Sequence, residues 1–268
     1  MKSLVLILLL FISNNFSSQN HRFFYTFEYK IDTTDATVSD LLVLNINEKE
    51  NLFISNKFIE TDSINNINFH KKDYVYPQYS NVFVYSKKNK SFTAYKKLDI
   101  DYYKYDFHIY IDWKIESQKK DILGFSVQKA TCRYGGRNWT AWFCPEINLP
   151  YGPYVFYGLP GMILEVYDDK NNFHYSFVKN SNSLSHNFKL ESIFEQKPIL
   201  IDQKDWATVQ INYYNNPLYI YKTVGWVIHN KKGEPYNPQD YRILETQIKN
   251  SMKRYNNPIE LSEKINFN

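Results

Sequence analysis

The chain has 268 residues, of which 43% are hydrophobic, 18% aromatic and 22% charged, and its formal net charge is +4. Its basic residues are scattered as short pairs such as Lys71-Lys72 and Lys231-Lys232, without the dense stripe of a nucleic-acid binder, so that class is excluded. The length suffices for one sizeable core or two small ones, and after the first dozen residues no apolar run is long enough to cross a bilayer as a helix.

The chain opens with Lys2, an apolar run from Leu4 to Ile12, and then small and polar residues. That order reads as a secretory signal peptide with cleavage near Ser18. Residues 1–18 are therefore expected to be removed, and 19–268 to form a single β-rich domain. The expected location is the cell envelope, either in the periplasm or associated with the outer membrane. An uncut N-terminal anchor is the alternative.

His21–Ile31 alternates as a strand does, with Phe23, Tyr25, Phe27 and Tyr29 on one side. Leu41–Ile46 and Leu52–Ile54 flank a polar turn and predict a hairpin. Asn56–Phe69 is polar and poorly patterned, and predicts a loop. Asn81–Tyr85 and Phe92–Tyr95 predict a second hairpin around Lys87-Lys88-Asn89-Lys90. Tyr105–Ile115 alternates again, with Ile122–Ala130 as its expected partner. Gly136–Phe143, Met162–Tyr167 and Phe173–Val178 continue the antiparallel pattern. Two helices follow. Asp202 can cap one through about Tyr214, and Asn237-Pro238 is a strong start signal for another. In that second helix Tyr241, Leu244, Ile248, Met252 and Tyr255 share one face. Strands first and helices last predict an α+β fold, mainly β: a curved antiparallel sheet, bowl-like or a half-barrel, with one or two C-terminal helices packed on it.

The stretch from Gly124 to Asp168 holds six of the eight glycines and both cysteines. Gly158-Leu159-Pro160-Gly161 predicts a tight corner, with Leu159-Pro160-Gly161-Met162 as a type II turn, because Pro fixes φ and the next Gly accepts a positive one. Either a fold-defining corner or a binding loop satisfies that reading. In an exported chain Cys132 and Cys144 suggest a disulfide, which the chain-entropy model values at roughly 3 kcal/mol. If the hairpin turns at Tyr134–Arg137, however, Cys132 faces Trp139, and the bridge needs a bulged loop; two free thiols are the alternative.

Catalytic signatures are thin. His70, His108, His174, His186 and His229 show no metal-binding spacing, and there is no nucleophile elbow and no glycine-rich phosphate loop. No metal or cofactor is expected. The polar cluster of interest is Arg137, Glu146 and Glu165, with Trp139 and Trp142 nearby. Glu165 lies between apolar residues and needs a partner if buried, and Arg137 is the natural one. Such a pair is either a structural strut or a ligand site, in which Trp faces stack and Arg holds a carboxylate or sugar hydroxyl. Glu165 and Glu146 could also serve as the paired carboxylates of a hydrolase. Asp32-Thr33-Thr34 and Asp62-Ser63-Ile64 match a short O-glycosylation pattern, for which ordinary loop residues are the simpler reading.

The hexapeptide Gly158-Leu159-Pro160-Gly161-Met162-Ile163 resembles the motif that names the GLPGLI family of exported bacterial proteins. Gly136-Arg137, Trp139, Ala141-Trp142-Phe143, Pro145-Glu146-Ile147, Gly152-Pro153 and Phe156 are similar to its upstream block, and Tyr255 to Leu261 to its closing segment. The resemblance implies an exported protein, in a family mostly without assigned function and often found beside outer-membrane, TonB-dependent transporters. It also implies a distant likeness to the bowl-shaped accessory domain of a glycan-removing amidase. The expected function is an envelope accessory or binding protein, partnered by such a transporter or another envelope protein and not itself an enzyme. A periplasmic hydrolase of peptides or glycans acting through Glu165 or Glu146 is the alternative, and a structural part of an envelope assembly is a third.

Overall fold

The computed structural model describes residues 21–32, 36–67, 73–182 and 188–267. The expected signal peptide, Thr33-Thr34, His70 and His186 lie outside the described residues. The fold is mostly β, with one open 12-stranded sheet and a few helices. In chain order its elements are β1 (His21–Tyr29), β2 (Val38–Ile46), β3 (Glu50–Ser55), α1 (Asn56–Ile67), β4 (Val82–Ser86), β5 (Ser91–Leu98) and β6 (Asp101–Phe107). Then come β7 (Lys114–Ile122), β8 (Phe125–Tyr134), β9 (Arg137–Cys144), β10 (Met162–Asp168), β11 (Phe173–Asn182), β12 (Ile199–Leu200), α2 (Trp206–Asn215), α3 (Tyr219–Val224) and α4 (Pro238–Arg254).

The strand order is β12-β6-β5-β4-β3-β2-β1-β11-β10-β9-β8-β7, antiparallel except for the parallel β12–β6 pair. It consists of two runs of sequential strands, β1–β6 and β7–β11, joined where β1 pairs with β11. Local chemistry builds each run. Leu123 and Gly124 both take positive φ, as do Gly135 and Gly136, which gives two-residue turns whose twist suits a hairpin. Gly135 and Gly136 also admit a neighbour: an added Cβ would lie 3.0 Å from Glu260 and 3.2 Å from Leu261.

One face of the sheet is a wall of aromatic rings. Phe23, Tyr25, Phe27 and Tyr29 of β1 are buried beside Phe173, Tyr175 and Phe177 of β11. Onto this wall folds the insert 145–161. Its Phe156 ring lies 4.7 Å from that of Trp139 on β9, and its Tyr154 ring 4.7 Å from that of Phe83 on β4. Strands β9 and β4 stand six places apart in the sheet, about 29 Å if it were flat. Two residues of one insert touch both, so this face is concave. A smaller apolar cluster, made by Val43, Ile54, Phe58, Ile59, Val82, Tyr102 and Ile193, packs apart from this core.

Several expected elements differ. Asn56–Ile67 is a helix and not a loop; it buries Phe58, Ile59 and Asp62, a spacing that a polar composition hides. The strand expected over Tyr105–Ile115 stops at Phe107. Tyr157 then takes over: its hydroxyl donates to the Ile109 carbonyl at 2.8 Å, and its carbonyl accepts from the Trp113 indole at 2.8 Å. The partner of β8 is therefore β7. Asn237 caps α4 in a reciprocal capping box with Asp240, yet no residue of α4 is buried. Its striped face lies off the sheet, with Lys249 and Lys253 over the Tyr214 ring of α2. Helix α2 meets the sheet through buried Trp206, 5.8 Å from the Tyr103 ring on β6.

The corner before β10 is tighter than a type II turn. Gly161 N–H donates to the Leu159 carbonyl at 2.8 Å, a γ-turn centred on Pro160. Met162 N–H is taken by the Ile147 carbonyl at 3.1 Å, so the wider turn bond does not form. Gly161 has φ of 152°, and an added Cβ would sit 2.2 Å from the Cys144 carbonyl oxygen. Gly161→Ala should therefore cost at least about 2 kcal/mol in urea unfolding. Gly158→Ala, at φ of 95° with open space around it, should cost only about 1 kcal/mol of backbone strain. Equal costs would mean that the Cys144 contact is not what selects glycine.

Candidate functional site

The cluster read from the sequence is split across the sheet. Along β9, Arg137, Trp139, Ala141 and Phe143 are buried on the concave side, while Trp142 faces the other way, opposite Glu165 of β10. Alternation of side chains along a strand requires this, because 139 and 142 differ by an odd number. Arg137 and Glu165 are not partners.

Arg137 instead holds the segment after α4 against the sheet. Its Nε donates to the Ile259 carbonyl at 2.9 Å, one terminal nitrogen to Asp168 at 3.1 Å, and the other to Asn257 Oδ1 and the Pro258 carbonyl, both at 2.8 Å. Asp168 is fully buried and also accepts from the backbone of Asn172 at 2.6 Å and of Phe173 at 2.9 Å. The guanidinium lies 4.7 Å from the Phe173 ring. Burial lowers the Arg137 pKa and Asp168 opposes that shift. The same C-terminal segment is fixed twice more. Glu260 accepts from the hydroxyls of Tyr134 and Tyr154, and Glu263 accepts from Lys96 at 2.5 Å and from Tyr105 at 3.1 Å. Burial, and then the Glu260 charge, raise both Tyr134 and Tyr154.

Glu165 sits on the other face. It pairs with Lys120 and with His174 Nε2, the latter at 2.9 Å, and Lys120 lies 4.4 Å from the Trp142 ring. Ser176 Oγ is 3.1 Å from the same His174 Nε2. A Ser–His–carboxylate relay needs the two ring nitrogens to serve different partners. Here one nitrogen faces both Ser176 and Glu165, while Nδ1 is 3.8 Å from Glu28, so this cluster does not form the relay. Burial would raise the Glu165 pKa, but hydrogen bonds from His174 and Lys120 and the Lys120 charge reverse this and leave it lowered. A general acid needs the opposite shift. Glu146 is exposed in the turn after β9, and nothing draws it to Glu165.

Both cysteines are free. The hairpin register sets Cys132 opposite Trp139, while Cys144 pairs with Met162 on the far side of β9, so the expected disulfide does not form. Burial pushes the Cys132 thiol up to about 12, which makes it a poor nucleophile.

A broad concavity with a largely apolar lining lies elsewhere: a groove of about 380 Å³ between the β5–β6 turn and α2–α3. Tyr103, Tyr213 and Tyr219 supply ring surface, and Asp99 the one carboxylate. Asp99 stands at φ of 55° in the turn. Burial raises its pKa, against the pull of Lys97. The Lys97 ammonium is engaged with the Asp99 carbonyl at 2.6 Å and the Tyr76 ring at 4.2 Å. Burial and then Asp99 raise Tyr213 and Tyr221. Nothing in the local sequence marked Asp99, since the groove is assembled from segments a hundred residues apart.

Two outcomes test these assignments. Arg137→Met leaves the buried Asp168 without its charged partner, and should cost about 3–5 kcal/mol in urea unfolding. It should also speed hydrogen exchange at Leu261 N–H, which is bonded to the Gly135 carbonyl. For Glu165 the folded pKa lies below the unfolded one. Its contribution is therefore complete above about pH 4.5 and is lost as pH falls through the folded value. Glu165→Gln should flatten the acid limb of stability against pH and leave the limb above pH 7 unchanged.

Residues 135–165 match the model of a family described as "Protein of unknown function (Porph_ging)", an uncharacterised family found in Bacteroidetes. That span holds Arg137, Trp139, Trp142, the Pro160 corner and Glu165. A search of curated proteins found no match. Among solved structures, PNGF-II in a C2 and in a P21 crystal form are similar, each with a TM-score of 0.52 and with 13% and 14% sequence identity. The likeness covers 71% of this chain but only 32% and 33% of theirs, so the chain spans about a third of PNGF-II and shares its fold over that part.

Proposed function

We propose that this chain is an exported accessory protein of the cell envelope that binds without catalysing, and that the Asp99 groove is where it takes its ligand. One observation carries the reading: a broad groove of tyrosine rings surrounds one half-buried carboxylate whose nearby lysine is already engaged. Such a carboxylate gains most from a cation seated over the rings. The ligand is therefore a cationic group, such as a Lys or Arg side chain presented by a partner protein. An outer-membrane transporter is the partner that the GLPGLI resemblance implies. The bowl-like sheet would then be a scaffold, with its interior filled by the 145–161 insert.

The hydrolase reading has less behind it. Glu165 is held as an anion by Lys120 and His174, and Glu146 stands apart from it.

The test is a gentle-detergent pull-down with the tagged mature protein from the envelope of the cell that makes it, run beside Asp99→Asn. Asn tolerates the left-handed backbone at this position, so the variant should fold. Recovery of a transporter in near-equal amount, weakened roughly tenfold or more in Asp99→Asn, is the expected result. Equal recovery by both proteins would remove the groove from the interaction. Turnover of peptides or glycans by the purified protein, abolished by Glu165→Gln without unfolding, would overturn the binding reading itself.

A further inference from the structure

The chain from Trp206 to Gly233 contains no Asp or Glu, and its lysines are Lys222, Lys231 and Lys232. Within it lies an apolar surface that the fold does not cover. Tyr219 is 59% exposed, Val224 61%, Trp226 47% and Val227 54%. Every residue from 222 to 227 is exposed, and no residue of α3 is buried. Single exposed apolar side chains need no explanation, but a run of them that includes Trp and Tyr does.

This surface is held from behind. Gly225 ends α3 with a left-handed φ of 74°, and the chain then forms a small hairpin closed by the His229–Pro235 bridge. Asn230 fixes the turn, its Oδ1 accepting from the Lys232 and Glu234 N–H groups at 2.9 and 3.0 Å. On the side of α4, the Tyr241 hydroxyl accepts from Ile228 N–H at 3.2 Å, and Lys222 reaches Glu245 at 3.5 Å. The Trp226 ring stands edge-on to Tyr221, with centroids 6.2 Å apart. These contacts order the backbone and leave Val224, Trp226 and Val227 open to solvent.

The charges limit what covers them. The hairpin tip presents Lys231 and Lys232, both exposed, and its carboxylate, Glu234, accepts from Asn230 Nδ2 at 2.9 Å. On α4, Glu245 is shared by Lys222 and Lys249, and Asp240 closes the helix cap. The surface is therefore cationic and fits an anionic partner. Its cations are lysines, with no Arg between residues 206 and 233. Protein interfaces favour Arg, whose planar fork fixes geometry, and are depleted in Lys. A fluid layer of anionic headgroups offers no fixed geometry, and point charges beside Trp and Tyr suit it. No helix among the described residues is long and apolar enough to cross a membrane, so contact through this face is peripheral.

We propose that the face formed by α3 and the 226–236 hairpin docks on the surface of an anionic lipid bilayer. Trp226 and Val227 enter the headgroup region, and Lys231 and Lys232 pair with lipid phosphates. Tyr219 also lines the Asp99 groove, so docking would hold that groove beside the membrane. The docking rests on the envelope location proposed above, but not on the groove or its ligand.

Vesicles of phosphatidylglycerol mixed with phosphatidylethanolamine are the probe, set against vesicles of phosphatidylcholine alone. The mature protein is used, because the apolar run Leu4–Ile12 would bind lipid by itself. The expected result is co-sedimentation with the anionic vesicles only, lost as salt is raised. Partitioning should weaken roughly fivefold in each of Lys231→Gln and Lys232→Gln, and roughly tenfold in Trp226→Ser. All three positions are exposed, so the variants should fold. A blue shift of tryptophan emission on the anionic vesicles, absent in Trp226→Phe, is a second readout. No binding to the anionic vesicles, or equal binding by the wild type and all three variants, would overturn the proposal. So would a protein cross-linked through residue 227 in the cell envelope while the vesicles stay bare. Asp99→Asn should bind the vesicles as the wild type does, so failure of the groove and failure of the lipid face are read separately.

Discussion

One buried guanidinium ties together three distant parts of the chain. Arg137 stands at the start of β9, and its donors reach Asp168 at the end of β10 and three groups of the 257–259 segment. A buried cation is tolerated only where its charge and its donors are all engaged. Arg137 meets that condition by pulling the C-terminal segment across the concave face, and from this the rest follows. Glu260 and Glu263, carried in by the same segment, reach tyrosines and a lysine on strands at opposite parts of the sheet. Gly135 and Gly136 have no side chain because that segment lies on them.

The concave face is thus closed twice, first by the insert 145–161 and then by the C-terminal segment. Its polar groups serve as struts. The proposed ligand site, the Asp99 groove, lies at the margin of the sheet beside α2 and α3. The Glu165 cluster on the other face has a serine, a histidine and a carboxylate close together, yet its geometry is that of an ion-pair network. Proximity of residue types does not define chemistry when one ring nitrogen must serve two partners.

Much of the sheet was legible in the sequence because strand alternation and turn residues are local. Phe23, Tyr25, Phe27 and Tyr29 announced β1, and Asn237-Pro238 announced α4. The hairpin register that sets Cys132 against Trp139 followed from the turn alone. The failures share a cause. Asn56–Ile67 looked like a loop because its helix buries only a few residues against a surface that the sequence does not display. Ile109–Trp113 alternated like a strand, but Tyr157, more than forty residues on, captured both its ends.

By itself the sequence determined a β-rich chain, its succession of hairpins and a rigid corner at Pro160. These depend on backbone preferences and side-chain period within a few residues. Only the tertiary structure decided that Arg137 pairs with Asp168 and not Glu165, and that Asp99 gathers tyrosines from β6 and α2. The first rests on the β9–β10 pairing across the insert, and the second on α2 and α3 meeting a turn that lies about a hundred residues earlier in the chain. Contacts over that distance depend on how the whole sheet closes, and no local spacing encodes them.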